Sequence, residues 1–185
     1  MLSIFYYLYI TMFSNDLNIT LLLDYIGLYA PIILLVTSIF LLQNRINYLK
    51  IYILGVLLNN VFNVVLKNVI KEPRPSSSSR ILEIAIANKK MNDYHKFGMP
   101  SCHAQNCGFE LAFITMVLKN SFITGSYLVI TLLSLFQRYK YSKHTILQLI
   151  VGLFIGMGVG YLFYVIAKNV IKGNIKMRPD DDAFR

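Results

Sequence analysis

Three short clusters hold most of the side chains that could do chemistry: Lys67 with Arg74 and Pro75, Pro100-Ser101-Cys102-His103, and Arg138 with His144. Lys67, Arg74 and Arg138 are cations whose N–H donors suit the oxygens of a phosphate group. His103 and His144 are imidazoles, the side chains best able to act as nucleophile, acid or base near neutral pH. Ser101 precedes an apolar run and is placed to cap a helix, which leaves the backbone N–H groups of Cys102 and His103 at a helix N-terminus that favours an anion. Cations, a helix N-terminus and two histidines together imply phosphoryl transfer. Cys102, His103 and Cys107 lack the fourth ligand of a zinc site, so neither a metal nor another cofactor is expected.

Such a site needs a scaffold, and the composition says which kind. Of 185 residues 56% are hydrophobic and 15% charged, with a mean hydropathy of +0.54, an excess of apolar residues for an ordinary soluble domain. The net charge of +9 falls in clusters between apolar runs, which argues against a nucleic-acid partner. A membrane-spanning helix needs about 20 mainly apolar residues. Five runs qualify or nearly do: Thr20 to Leu42, Leu49 to Leu66, Ala104 to Val117, Ser121 to Phe136 and Thr145 to Ala167. The third and fourth are short, and must extend into flanking residues or sit deep in a bundle where neighbours cover their ends. The fold class is therefore an all-α polytopic membrane bundle of five helices, or six if the tyrosine-rich segment Met1 to Phe13 also crosses. That segment reads better as an interfacial helix than as a cleaved signal. The organisation is an N-terminal interfacial segment over 1–19, a membrane-embedded domain over 20–172 with an extramembrane loop at 67–100, and a polar tail over 173–185.

Helices that each cross once alternate direction, so crossings assign faces. Lys67, Arg74, Ser101, His103, Arg138 and His144 all fall on one face. The pentapeptide Lys-Asn-Val-Ile-Lys occurs at 67–71 and again at 168–172, but the second copy lies on the opposite face and takes no part. His95 reads as a solvated loop residue. Polar residues inside the runs are few: Asp24, Asn59, Asn60, Asn63 and Glu110. The asparagines recur on one helix face and suit either interhelical hydrogen bonding or a place near a ligand, and Glu110 needs a partner or a wet cavity. Gly152, Gly156 and Gly160 form a small-residue ridge for helix packing.

The pattern Lys67-x6-Arg74-Pro75, Pro100-Ser101-Cys102-His103 and Arg138-x5-His144 resembles the three-part signature of the type 2 phosphatidic acid phosphatase superfamily. The stretches Lys67-Asn-Val-Ile-Lys-Glu-Pro-Arg-Pro75 and Gly98-Met-Pro-Ser-Cys-His-Ala-Gln105, and His144-Thr145 followed by Gln148, are most similar to its dolichyl diphosphate phosphatase branch. Most of the superfamily has an acidic residue at the position of Gln148, a glycine or serine at that of Cys102 and a serine at that of Gln137.

The resemblance implies a metal-independent hydrolase that removes phosphate from a lipid whose tail stays in the bilayer. His144 would form a phosphohistidine, and His103 would protonate the leaving oxygen and then activate water. Gln148, one helical turn after His144, would accept a hydrogen bond from the imidazole N–H. Lys67, Arg74, Ser101, Cys102 and Arg138 would hold the phosphate. A polyprenyl diphosphate is the first choice of substrate and phosphatidate or another lipid phosphate the second. A catalytically weakened lipid-phosphate-binding membrane protein is the alternative from another class; oligomeric state is open. Lys and Arg divide nearly evenly between the two faces, so orientation rests on the resemblance, which implies an active face in the lumen of the endoplasmic reticulum. Asn18-Ile19-Thr20, a glycosylation-type sequon on that face, lies too near the first span to be modified.

Overall fold

A computed structural model of the chain describes residues 19–75 and 96–173. The N-terminal segment with Asn18, the serine run at 76–79, the lysine pair at 89–90, His95 and the tail from 174 lie outside the described residues. The described chain is an all-α membrane bundle of five helices: α1 (Ile19–Leu42), α2 (Ile46–Ile70), α3 (Cys102–Leu118), α4 (Ser121–Lys140) and α5 (Ile146–Gly173). By length and composition α1, α2 and α5 can each cross a membrane. With 17 residues α3 is shorter, and every residue from Cys107 to Ile114 is buried. Its neighbours enclose it, as the sequence led one to expect.

Successive helices run in alternating directions. At one end Arg45, after α1, donates from Nη1 to the carbonyl of Val117 at the end of α3 (3.1 Å). At the other, Lys140 at the end of α4 meets Asp24 in the first turns of α1 (Nζ to Oδ2, 2.6 Å), and the Tyr141 hydroxyl donates to the same oxygen (2.7 Å).

Two helices end later than hydropathy alone suggests. Helix α2 runs to Ile70, so Lys67 sits in its last turn, and α4 runs to Lys140, which takes in Arg138. A charged residue lowers hydropathy but does not interrupt a helix near an interface. Helix α2 stops at Lys71, in the left-handed region at φ 54°, whose N–H caps the Lys67 carbonyl at 3.0 Å. Pro73 follows and cannot continue the helix. Helix α4 starts from Asn120, whose side chain accepts from the N–H groups of Phe122 and Ile123.

The glycine ridge sets how closely α5 lies on α3. A Cβ on Gly152 would stand 2.7 Å from the Ser101 carbonyl oxygen, one on Gly160 2.5 Å from that of Phe109, and one on Gly156 would collide with the Gln105 carbonyl. These glycines let the backbone of α5 touch that of α3 and so tie the start of α3 to the start of α5. Deeper in the bundle, Phe109 and Phe113 of α3 stack at 5.9 Å between centroids against Tyr52 of α2 and Phe163 of α5.

The polar residues inside the bundle find partners across helices. Asn63 of α2 donates to Gln105 Oε1 (2.7 Å) and to the Pro100 carbonyl (3.3 Å), and Gln105 Nε2 returns a bond to Asn59 Oδ1 (2.9 Å). Asn59 donates to Asn106, which donates to Asn60 (2.7 and 3.0 Å). Of the two readings of the asparagines, interhelical hydrogen bonding is the one seen. Glu110 has its partner as well: Oε2 accepts from Ser38 Oγ at 2.8 Å and from the Tyr52 hydroxyl, while Ser38 shares a hydrogen bond with Tyr127.

Candidate active site

The long connection between α2 and α3 leaves and re-enters the bundle at one place. Pro73 and Phe97 form an antiparallel bridge, and the Gly98 N–H donates to the Glu72 carbonyl at 2.7 Å. This pinned pair of extended segments forms a shelf at the end of α2 and the starts of α3 and α5. Lys67, 3% exposed, donates from Nζ to the Phe97 carbonyl (3.0 Å) beneath it. Arg74 reaches from the shelf to the α4–α5 connection, where Nη1 lies 3.1 Å from both the Lys143 carbonyl and His144 Nε2.

The geometry fixes the tautomer of His144. A guanidinium only donates, so Nε2 facing Arg74 must be the acceptor, and the proton sits on Nδ1. Nδ1 faces two acceptors, the Gly98 carbonyl at 3.0 Å and Gln148 Oε1 at 3.3 Å. Gln148, fully buried, is held at its other end, where Nε2 donates to Glu72 Oε1 (2.7 Å) and to the Pro73 carbonyl (2.9 Å). Burial first, then the charges of Arg74, Lys67 and Arg138, pushes His144 down to about 3, and the hydrogen bond it donates to Gln148 only partly opposes them. The ring is therefore neutral near pH 7, with its Nε2 lone pair accepting from Arg74. Burial also lowers Arg74, although a guanidinium stays protonated in any protein at neutral pH.

Helix α3 delivers His103 in its first turn, with Nε2 2.6 Å from Arg138 Nη2 of α4. Here too the arginine must donate and the imidazole accept. Ser101 stands at the N-cap position, but its hydroxyl does not cap the helix, contrary to expectation: no side-chain capping bond forms. The backbone of Ser101 is fixed by its N–H on the Gln148 carbonyl (3.2 Å) and by its carbonyl, which accepts the first helical bond from the Gln105 N–H (2.9 Å). Ser101 Oγ is buried without a partner, as is Arg138 Nε. A buried donor left unpaired costs roughly 1–3 kcal/mol, and both these groups belong to the set expected to hold an anion. Cys102 Sγ lies 3.8 Å from Asn60 Oδ1 and 3.6 Å from Asn106 Nδ2, within electrostatic range of the three cations.

All eight residues expected from the sequence come together at this end of the bundle: Lys67, Arg74, Ser101, Cys102, His103, Arg138, His144 and Gln148. Sequence reasoning missed two participants. The Gly98 carbonyl is closer to His144 Nδ1 than Gln148 is, and Glu72 anchors Gln148. Gly98 carries a readable signal only in hindsight, since a Cβ there would collide with the Gln148 side chain. The arrangement offers a neutral nucleophile of fixed orientation, a second imidazole and a cationic cradle, which suits transfer of a phosphoryl group to and from nitrogen.

Dolichyldiphosphatase of Saccharomyces cerevisiae is 30% identical over 124 residues, covering 60% of this chain and 48% of the yeast protein. The chain thus spans about half the length of that curated relative. No solved structure matches. The PAP2 superfamily pattern matches residues 48–172, a stretch that runs from the start of α2 through α5 and includes every residue of the cradle, and the chain belongs to that superfamily.

Proposed function

We propose that this chain is an integral membrane lipid phosphatase that hydrolyses a polyprenyl diphosphate of the dolichyl type to the monophosphate through a phosphohistidine at His144. The observation that carries this reading is the orientation of His144: Nδ1–H is committed to the Gly98 carbonyl, which leaves the Nε2 lone pair beside Arg74 in a cradle of cations. The yeast relative's name supports the diphosphate over phosphatidate.

In the proposed reaction Nε2 of His144 attacks the terminal phosphorus and the bond to the bridging oxygen breaks. Lys67, Arg74, Arg138, Ser101 Oγ and the N–H groups at the start of α3 offset the charge on the phosphoryl oxygens. As Arg138 turns to the phosphate, His103 Nε2 is freed, takes a proton from water at the membrane face and passes it to the departing lipid monophosphate. The same nitrogen then accepts a proton from water as that water cleaves the N–P bond and releases inorganic phosphate. No metal is needed in this scheme. The lipid tail remains in the bilayer beside the bundle, and the active face is assigned to the lumen of the endoplasmic reticulum, or to the outside in a cell without one.

The test is inorganic phosphate release by the detergent-purified protein with EDTA present, from dolichyl diphosphate and from phosphatidate, for wild type and His144→Ala. Release from the diphosphate that is lost in the variant supports the proposal. Release from phosphatidate alone moves the substrate to a glycerolipid. No release from either by folded protein contradicts an active enzyme and favours a lipid-phosphate binder.

A further inference from the structure

The superfamily's acidic partner for the second histidine is missing here, because Gln148 stands in its place, yet the structure supplies a carboxylate one residue further out. Gln148 Nε2 lies 2.7 Å from Glu72 Oε1 and 2.9 Å from the Pro73 carbonyl. Both are acceptors, so only the NH2 end of the amide can face them. The oxygen end must then face the Thr145 N–H and His144 Nδ1, each at 3.3 Å. An amide free to flip would present NH2 to Nδ1 and favour the other tautomer, with the proton on Nε2 and no lone pair towards the cradle.

We propose that Glu72 is a positioning residue for His144: acting through Gln148, it holds the imidazole with its proton on Nδ1 and its lone pair on Nε2. This rests on the reading of His144 as the nucleophile. The path is Glu72 carboxylate, Gln148 amide, His144 imidazole, and the Glu72 backbone joins it too, since its carbonyl accepts from the N–H of Gly98, whose own carbonyl is the second acceptor at Nδ1. One residue of the shelf thus sets both contacts at Nδ1. The charged groups facing the ring are Arg74, Lys67 and Arg138, all cations, so a fixed negative charge two hydrogen bonds away supports orientation without neutralising the cradle.

The experiment has a kinetic arm and an arm that needs no turnover. With dolichyl diphosphate, Glu72→Ala is expected to lower kcat about tenfold with KM within about threefold, as for loss of an orienting group. Gln148→Glu alone sets two carboxylates face to face and is expected to lose about as much. The double variant Glu72→Gln with Gln148→Glu exchanges donor and acceptor, and is expected to recover to within about threefold of wild type. Wild-type kcat in Glu72→Ala, or a double variant no better than Gln148→Glu, overturns the proposal. In the second arm the full-length protein, labelled with 15N in its histidines, reports the tautomer directly, with His144 assigned by its loss in His144→Gln. Wild type is expected to show the Nδ1–H form and Glu72→Ala a mixture; an unchanged tautomer overturns the proposal. If wild type hydrolyses nothing, the functional reading fails by itself while the tautomer still decides the role of Glu72.

Discussion

Two polar clusters sit inside the bundle, and they are built on opposite plans. In the middle of the bundle Glu110, Ser38, Tyr52 and Tyr127 join four helices, and their hydrogen bonds are spent on one another and on the Leu34 carbonyl. At the membrane face Lys67, Arg74 and Arg138 converge on two imidazoles and an N-cap serine, and here Ser101 Oγ and Arg138 Nε remain buried and unpaired. A buried polar network that serves stability closes on itself, because each open group costs free energy. A network that serves binding keeps its capacity open at that cost, and the rest of the bundle must offset it. Thr131 and Ser134 of α4 are also buried without a partner, so it is the convergence of the unpaired groups with cations and imidazoles that sets the second cluster apart and fits the proposed phosphate chemistry.

Substitutions can break the contrast. Arg138→Ala is expected to cut phosphate release about a hundredfold or more, because it removes a donor aimed at developing charge, and to leave thermal stability in detergent unchanged or raised. Glu110→Ala is expected to do the reverse: a loss of about 2–3 kcal/mol of stability in denaturant titration as Ser38 and Tyr52 lose their acceptor, with the rate per folded molecule within about twofold. A fall in stability for the first, or in rate for the second, would merge the two clusters into one.

A pair of serines sharpens the comparison at smaller scale. Both are fully buried, but Ser38 is bonded to Glu110 and Tyr127 while Ser101 Oγ has no partner. Ser38→Ala is expected to cost about 1 kcal/mol in unfolding experiments, and Ser101→Ala nothing or a slight gain. Ser101→Ala is expected instead to slow phosphate release several-fold, which initial-rate assays would read.

The smallest expected effect is an absence of titration. Burial and three neighbouring cations disfavour the imidazolium of His144 and set it at about 3, below the ordinary value of 6.5. As pH falls from 8 to 5 the ring nitrogen signals of His144 should therefore stay those of the neutral form. A bound phosphate offsets the cations, so an inert phosphonate analogue should raise the value. Ordinary titration near 6.5 in the free protein would show that the ring is not held among the cations as described.

How much of this was legible in the sequence follows the kind of group involved. Side chains whose type announces their chemistry, such as Lys67, Arg74, His103, Arg138 and His144, are legible in the sequence, and the structure brings them to one end of the bundle as the count of crossings implies. The Gly98 carbonyl was not, because every residue has a carbonyl and only the turn at the shelf decides which one points at His144. Glu72 was hidden for a related reason: its partner Gln148 is 76 residues away, and only the bridge at Pro73 and Phe97 brings them together. The asparagines of α2 carried a stronger signal than was used. Gln105 and Asn106 offer matching amides in the next helix, and two polar stripes in adjacent apolar helices are expected to pair. The type and place of Ser101 fit a cap, while the close approach of α5 at Gly152 brings the Gln148 carbonyl to its N–H and the hydroxyl is left without a partner.

The most direct test of the central claim is to quench turnover of a diphosphate labelled in its terminal phosphate and to map the label on the protein. The expected result is a base-stable, acid-labile phosphoramidate on the peptide carrying His144, absent in His144→Gln and accumulating in His103→Gln, where the second step lacks its base. Turnover with no label on the protein, or label on His103, would contradict the assignment of His144 as the nucleophile.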